Sequence, residues 1–186
     1  MTNLTNRIQA ALLNYYTFER GAKLVCTELY TVLNSIGDVV VLTKDNMVIE
    51  IEIKISLSDL KNELFKGNKR YEWDEINRKQ KILIRSKHEL MNRDDNIYFP
   101  PNKYYFCVPK SILNETIEFA TKLNPKYGVL CFNEDTKRIM KCISIKKNAY
   151  YLHKEDNSES YSKKMIDRLC NDLTKKYRLL YWKNND

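Results

Sequence analysis

An α/β fold, with a mixed sheet flanked by helices and an added C-terminal helix, is what this sequence predicts. Three observations carry that expectation. Residues 47–55 alternate strictly, with Ile49, Ile51, Ile53 and Ile55 on one face and Glu50, Glu52 and Lys54 on the other. Strand-like runs alternate with helix-like segments in the order helix, three strands, helix, strand, helix, strand, which points to an αβββαβ core. Glycine and proline are rare, four each among 186 residues, which favours long regular elements over loops.

Residues 5–20 have a stripe of Ile8, Ala11, Leu12, Tyr15 and Tyr16 at helical spacing. Thr5 is placed to cap this helix and Gly21 to end it. Residues 23–33 are rich in β-branched and apolar types and predict a strand. Asn34 to Gly37 is a turn signal, and Asp38 to Leu42 a second strand. Lys44, Asp45 and Asn46 form a short hairpin loop into the third strand, Met47–Ile55.

Ser56 or Ser58 caps a helix through Phe65, interrupted at Gly67. The charged stretch 68–93 is expected to be helical in part. Strands are expected at 104–108, 128–132 and 139–145, and a helix at 112–123 ending before Pro125. Residues 159–181 form an amphipathic helix striped with Tyr161, Met165, Leu169, Leu173, Tyr177 and Leu180. The core sheet is expected to hold four or five strands. Residues 1–152 form the main domain, with a basic insertion at about 68–100, and 153–186 a helical extension. Residues 153–160 are the one stretch that resembles a flexible link.

Net charge is +8, which suits a polyanionic partner because each phosphate neutralised releases condensed counterions. The five cysteines, Cys26, Cys107, Cys131, Cys142 and Cys170, are odd in number and lack C-x-x-C spacing. They read as reduced, buried thiols of a cytoplasmic protein. With only His88 and His153, neither at ligand spacing, zinc is disfavoured. No apolar run approaches the ~18 residues of a membrane span, and the first twenty residues lack a signal peptide's apolar core.

The chemistry concentrates in residues 37–56. Ionised groups on an apolar strand are costly unless paired or bound to metal, so Glu50, Glu52 and Lys54 need partners or solvent. If the hairpin loop is 44–46, Thr43 pairs with Met47 and Asp38 lies opposite Glu52, their Cβ atoms about 5 Å apart. Such a loop wants a left-handed residue at its end, which Asn46 tolerates. A two- or four-residue loop would turn Asp38 to the isoleucine face. Two carboxylates this close repel, and a hard cation such as Mg²⁺ or Mn²⁺ resolves the repulsion. Lys54 follows about 6.6 Å along the same face, where an ammonium can orient an attacking water or stabilise phosphate charge.

Asp38…Glu52-Ile53-Lys54 on a helix and β-hairpin resembles the signature of the PD-(D/E)XK nuclease superfamily, and within it the MmcB-like DNA repair nucleases. Four ordered segments carry the likeness: Glu28 before Gly37-Asp38-Val39, the run Glu52 to Leu60, Tyr104 to Pro109, and Tyr127 to Leu130. They span roughly residues 5–132. A glycine stands where the signature has proline, the insertion at 68–100 is extra, and the C-terminal helix lies outside the match. The resemblance implies a restriction-endonuclease-like core with Mg²⁺ or Mn²⁺ held by Asp38, Glu52 and Ile53. It implies Lys54 as catalytic lysine and Glu28 as an additional acidic residue, with Glu50 the substitute for Glu28. Ser56 and Asp59 would act behind the site or cap the following helix.

Lys61 to Arg93 carries ten basic against five acidic residues, with Tyr71 and Trp73 among them. Such a run can track a nucleic-acid backbone, and Ser56, Lys61, Lys69, Arg70, Lys87 and His88 are its candidate contacts. A solvated charged helix is the plainer reading. Lys137 to Asp186 has thirteen basic against six acidic residues and is a second candidate surface. Tyr150, Tyr151, Tyr181 and Trp182 suit core or homodimer packing. The expected activity is metal-dependent cleavage of DNA, with RNA as another possible polyanion. The alternatives are a catalytically inactive DNA-binding protein on the same scaffold, and a structural protein with a solvated acidic cluster.

Overall fold

The computed structural model describes residues 3–31, 35–65, 67–74, 79–91, 100–136 and 141–182, with the side chains of residues 3, 67–85, 181 and 182 outside that description. Helix α1 spans Asn3–Asn14 and runs into a π-helical turn, Tyr15–Glu19. Thr5 therefore lies inside the first turn and does not cap the helix. Gly21 ends the segment at φ 59°, a left-handed value that suits glycine.

Three antiparallel strands follow: β1, Leu24–Tyr30; β2, Ile36–Leu42; and β3, Val48–Ile53. Helix α2, Leu57–Asn62, is extended by a 3₁₀ turn, Glu63–Phe65. Strands β4, Gly67–Asp74, and β5, Lys79–Ser86, pair as a separate antiparallel ribbon that leads into α3, Lys87–Met91. Strand β6, Lys103–Pro109, helix α4, Leu113–Leu123, and strand β7, Gly128–Phe132, come next. Strand β8, Ile143–Lys147, and helix α5, Ser158–Trp182, complete the chain.

The main sheet has six strands in the order β1-β2-β3-β6-β7-β8, one more than the sequence led us to expect. Both β3–β6 and β6–β7 are parallel, while the outer pairs are antiparallel. Every residue of β3 and β7 is buried, as a central strand covered on both faces requires. On one face α1 and the π-helical turn after it pack Ile8, Leu12, Tyr15 and Tyr16 against Val39, Ile49, Ile51 and Ile53. On the other, Tyr161 and Met165 of α5 cover Val40, Leu42 and Val48, while Leu60, Leu90, Met91 and Ala120 cover Tyr104, Phe106 and Val129. Between these two apolar patches lie the charged residues of β3.

Three elements differ from the sequence reading. Among the described residues of the stretch 68–93, most form the β4–β5 ribbon, and Lys87–Met91 is the helical part. The charge density of this stretch masked the β-branched run at Ile82 and Ile84. The last strand starts at Ile143, because that residue pairs with Phe132 of β7. Residues 153–157, read as a link, are tied down: Asn102 donates to the carbonyls of His153 and Glu155, and Asn157 donates to that of Pro100 at 2.6 Å. The first turns of α5 are thus held to the core, whereas Leu173, Tyr177 and Leu180 are 57–63% exposed. Tyr150 and Tyr151 are also exposed and take no part in the core. Four cysteines are buried free thiols and Cys170 is exposed. No helix among the described residues is long and apolar enough to cross a membrane.

The β2–β3 hairpin has the loop that the sequence required. Thr43 N donates to Met47 O at 2.9 Å, Asn46 sits at φ 60°, and Val39 pairs with Ile51. The Asn46 conformation holds the register of β3, so its cost matters. Asn46→Val should destabilise the protein by about 1–2 kcal/mol, because a β-branched residue resists the left-handed region. Asn46→Gly should stay within about 1 kcal/mol of the parent. Urea titrations of both variants check this, and equal losses in the two would show that backbone strain is not the cause.

Candidate functional site

β3 carries Glu50 and Glu52 towards the α2–α3 side, and Lys54 follows on the same side at its end. All three are buried, at 0%, 3% and 1% exposure. Charges removed from water in this way need partners. Two come from elements outside the motif: Glu63, in the turn after α2, and Lys87, the first residue of α3.

The contacts run as a chain of alternating sign. Lys87 Nζ lies 2.5 Å from Glu50 Oε1 and 3.1 Å from Glu52 Oε2. Lys54 Nζ lies 3.1 Å from Glu52 Oε1 and 2.6 Å from Glu63 Oε2, with Asp59 Oδ1 at 3.8 Å. Glu63 Oε1 is 3.3 Å from His88 Nε2, and His88 Nδ1 is 2.9 Å from the Tyr127 hydroxyl. Burial works against charge on Lys87, but Glu50 and Glu52 outweigh it and hold the ammonium well above the usual lysine range. Burial pushes the Glu50 carboxyl up against the pull of Lys87. Lys87 has a second carboxylate in Glu52. Burial also opposes ionisation of Glu63, yet the His88 hydrogen bond and the Lys54 ammonium prevail and hold it below the usual carboxylate range.

Asp38 stands at the open end of this chain. The regular rungs between β2 and β3 stop at Val39↔Ile51, one short of Asp38 and Glu52. The half-buried Asp38 instead accepts the Ile53 N–H at Oδ2, 2.7 Å away, so its carboxylate is fixed at the end of β3. Burial and the nearby Glu52 charge push its carboxyl up to about 6. The side chain faces Glu52 and Lys54, not the isoleucine side. Gly37, where the motif has proline, has a local reason. A Cβ there would lie 3.0 Å from Val40 Cγ2 and 3.1 Å from Glu50 Cγ, so the glycine leaves room for the Glu50 side chain.

The other sequence-predicted residues fare differently. Glu28 does not join the cluster through its carboxylate: Oε2 accepts from Arg168 of α5 at 3.3 Å, and the residue has φ 52°. Ser56 caps α2 by accepting from Asp59 N at 3.2 Å, and Lys61 is exposed on that helix. Lys69 and Arg70 lie in β4, with side chains outside the described residues. Lys87 and His88, expected on a phosphate-contacting surface, are buried at 4% and 3% in the ionic chain. They are corrected here from surface contacts to interior partners, because the acidic residues of β3 and Glu63 need their charge and hydrogen bonds. Glu63 escaped the sequence reading altogether. The available signal was its three-residue spacing from the apolar Leu60, which puts both on one helix face.

Chemically, the site offers two carboxylates near a solvent-facing edge, backed by two buried ammoniums. Among the described residues no three His, Cys, Asp or Glu side chains form a ready-made metal cage. Asp38 and Glu52 would hold a hard cation as two oxygen donors, with the Ile53 carbonyl as the further ligand the family resemblance implies. Water would complete the shell, as Mg²⁺ prefers. The raised Asp38 carboxyl fits that role, since a cation relieves the repulsion that raises it.

No family model matches the chain, and no curated protein matches it. Among solved structures the chain is similar to a protein of unknown function from Silicibacter pomeroyi, with a TM-score of 0.57 and 12% identity. The match covers 100% of this chain and 96% of that one. At this identity the likeness is one of fold.

Two outcomes follow from the site. Removing one partner of a buried ion pair leaves the other uncompensated, so Glu63→Gln should cost about 3–5 kcal/mol in a denaturant titration. A loss below ~1 kcal/mol would show Lys54 to be satisfied without it. Asp38 has a folded value near 6 against 3.8 for the free side chain. Between those values the unfolded chain releases its proton first, so stability falls as pH rises and stays reduced above 6. Asp38→Asn cannot ionise. Without divalent cations it should melt higher than the parent at about pH 8, with the gap closing towards pH 4. A gap independent of pH would assign the effect to something other than ionisation.

Proposed function

We propose that this chain is a divalent-metal-dependent nuclease that hydrolyses DNA phosphodiester bonds, built on a restriction-endonuclease-like core of the PD-(D/E)XK type. The observation that carries this reading is the arrangement of Asp38, Glu52 and Lys54. Asp38 is locked to the Ile53 amide at 2.7 Å beside Glu52, and Lys54 lies 3.1 Å from Glu52. The order of α1, the β1–β2–β3 meander, α2, β6, α4 and β7 supports it, as does the net charge of +8.

In this mechanism Asp38 and Glu52 would hold Mg²⁺ or Mn²⁺, which when bound would supply Lewis acidity and lower the pKa of a coordinated water. Lys54 supplies positive charge where negative charge grows on the phosphate. Glu63 and Asp59 keep that ammonium in place, at 2.6 Å and 3.8 Å. Lysines on the surface, Lys61 among them, position the backbone without reading its sequence.

A second reading rests on one observation. Lys54 is 1% exposed and held between Glu52 and Glu63, and both Glu52 oxygens already face ammoniums. If that pairing does not open for a cation, the same scaffold binds DNA without cutting it.

Mutation separates the two. Under the nuclease reading, Asp38→Asn and Glu52→Gln each lower Mg²⁺- or Mn²⁺-dependent cleavage by at least ~10³-fold while circular dichroism stays native. Cleavage that survives either change would sink the mechanism. A gel shift on single-stranded, duplex and branched DNA with no cleavage in either metal would select the binding protein. Loss of all affinity at ~50 mM salt would dismiss both.

A further inference from the structure

Lys87 lies outside the D…ExK signature, yet it makes the closest contact of the ionic chain. Its Nζ is 2.5 Å from Glu50 Oε1 and 3.1 Å from Glu52 Oε2. Glu50 and Glu52 are two residues apart on one strand face, so their side chains rise about 6.6 Å apart and leave a gap between them. A single positive charge sits in that gap, buried and 5.2 Å above the Tyr104 ring. Tyr104, which pairs with Glu50 across the parallel β3–β6 ladder, is fully buried, and its hydroxyl has no hydrogen-bond partner among the described residues. Two carboxylates with one cation between them, and an unpartnered phenolic oxygen that feels the Glu50 and Glu52 charges, are the ingredients of an oxygen-lined cation site.

We propose that Lys87 is a built-in cation that fills a second metal position between Glu50 and Glu52, so that the centre takes one divalent ion and not two. The proposal rests on the reading of Asp38 and Glu52 as metal ligands. It assigns Glu52 Oε2 to the Lys87 ammonium and has the divalent ion share Oε1, which Lys54 faces at 3.1 Å, together with Asp38. Glu50 then serves as the dock that keeps Lys87 in place when a cation draws on Glu52. Glu63 does the same for Lys54, which it approaches at 2.6 Å against 3.1 Å for Glu52. Each lysine has one carboxylate to share and one to itself, so a divalent ion can bind Glu52 without leaving either ammonium unpaired. The charges agree. Glu50, Glu52 and Glu63 face Lys54 and Lys87, and Asp38 adds a further negative charge at the edge.

The test counts ions. Mn²⁺ alone is titrated into the full chain without DNA, by calorimetry and by the paramagnetic signal of free Mn²⁺. The wild type should take up one Mn²⁺ per chain. Lys87→Met, which keeps the length and loses the charge, should take up two, and its melting temperature should rise more with Mn²⁺ than the wild type's. Lys87→Arg keeps the charge and should stay at one. If Lys87→Met takes up no more than the wild type, or Lys87→Arg takes up two, the inference is overturned. If Lys87→Met unfolds in chelator, refolding in millimolar Mn²⁺ is the measurement: recovery supports the proposal and continued unfolding overturns it. A wild type that takes up no Mn²⁺ would instead remove the metal reading of Asp38 and Glu52. Uptake of one ion by Lys87→Met in that case would still uphold the role of Lys87.

Discussion

Lys54 has 1% of its side chain exposed, so its charge has to be met by carboxylates and not by water. That requirement organises one side of the molecule. Glu52 is its neighbour on the strand, and Glu63 must be brought in by α2. Glu52 in turn shares Lys87, which α3 supplies, and Lys87 satisfies Glu50. Each charge in the chain is compensated by the next. In a low-dielectric interior such a chain gives little net stability over an apolar equivalent. It does dictate where α2 and α3 must sit relative to β3.

The opposite face of the sheet makes this arrangement tolerable. There the three-isoleucine side of β3, with α1, builds an unbroken apolar layer. Hydrophobic burial at roughly 25 cal/mol per Å² can stabilise that layer without help from the charged side. The glycine at position 37 belongs to the same compromise. It gives up side-chain packing on β2 so that Glu50 fits beneath it. The proline of the signature would fill the space this chain needs for its own additional carboxylate.

Asp38 differs from the inner members of the cluster. A carboxylate placed for stability gains charged or hydrogen-bonding partners that lower its pKa. Asp38 has one such bond, from Ile53, and is nonetheless pushed up by burial and by Glu52. The fold therefore tolerates a charge it would be more stable without. Raised carboxyls of this sort concentrate where chemistry is done. The inner carboxylates each have an ammonium: Glu63 is held down by the groups around it, and Glu50, which burial pushes up, lies 2.5 Å from Lys87. The cluster thus has a satisfied interior and an unsatisfied edge.

Local pattern alone determined much of this protein. The period-two alternation of residues 47–55 separated the isoleucine face from the charged face. The three-residue loop with Asn46 set the hairpin register, and the Asp38…Glu52-Ile53-Lys54 constellation followed from counting along two adjoining strands. These features are short-range, so backbone geometry transmits them directly from the sequence. Tertiary structure decided the rest. The β4–β5 ribbon was hidden by its charge density. Lys87 is buried against Glu52, 35 residues away in the chain, and His88 against Tyr127, 39 residues away. Arg168 reaches Glu28 across 140 residues. Whether a lysine faces water or a buried carboxylate is not written in its neighbours, because the deciding energy is the field of groups that only folding brings together.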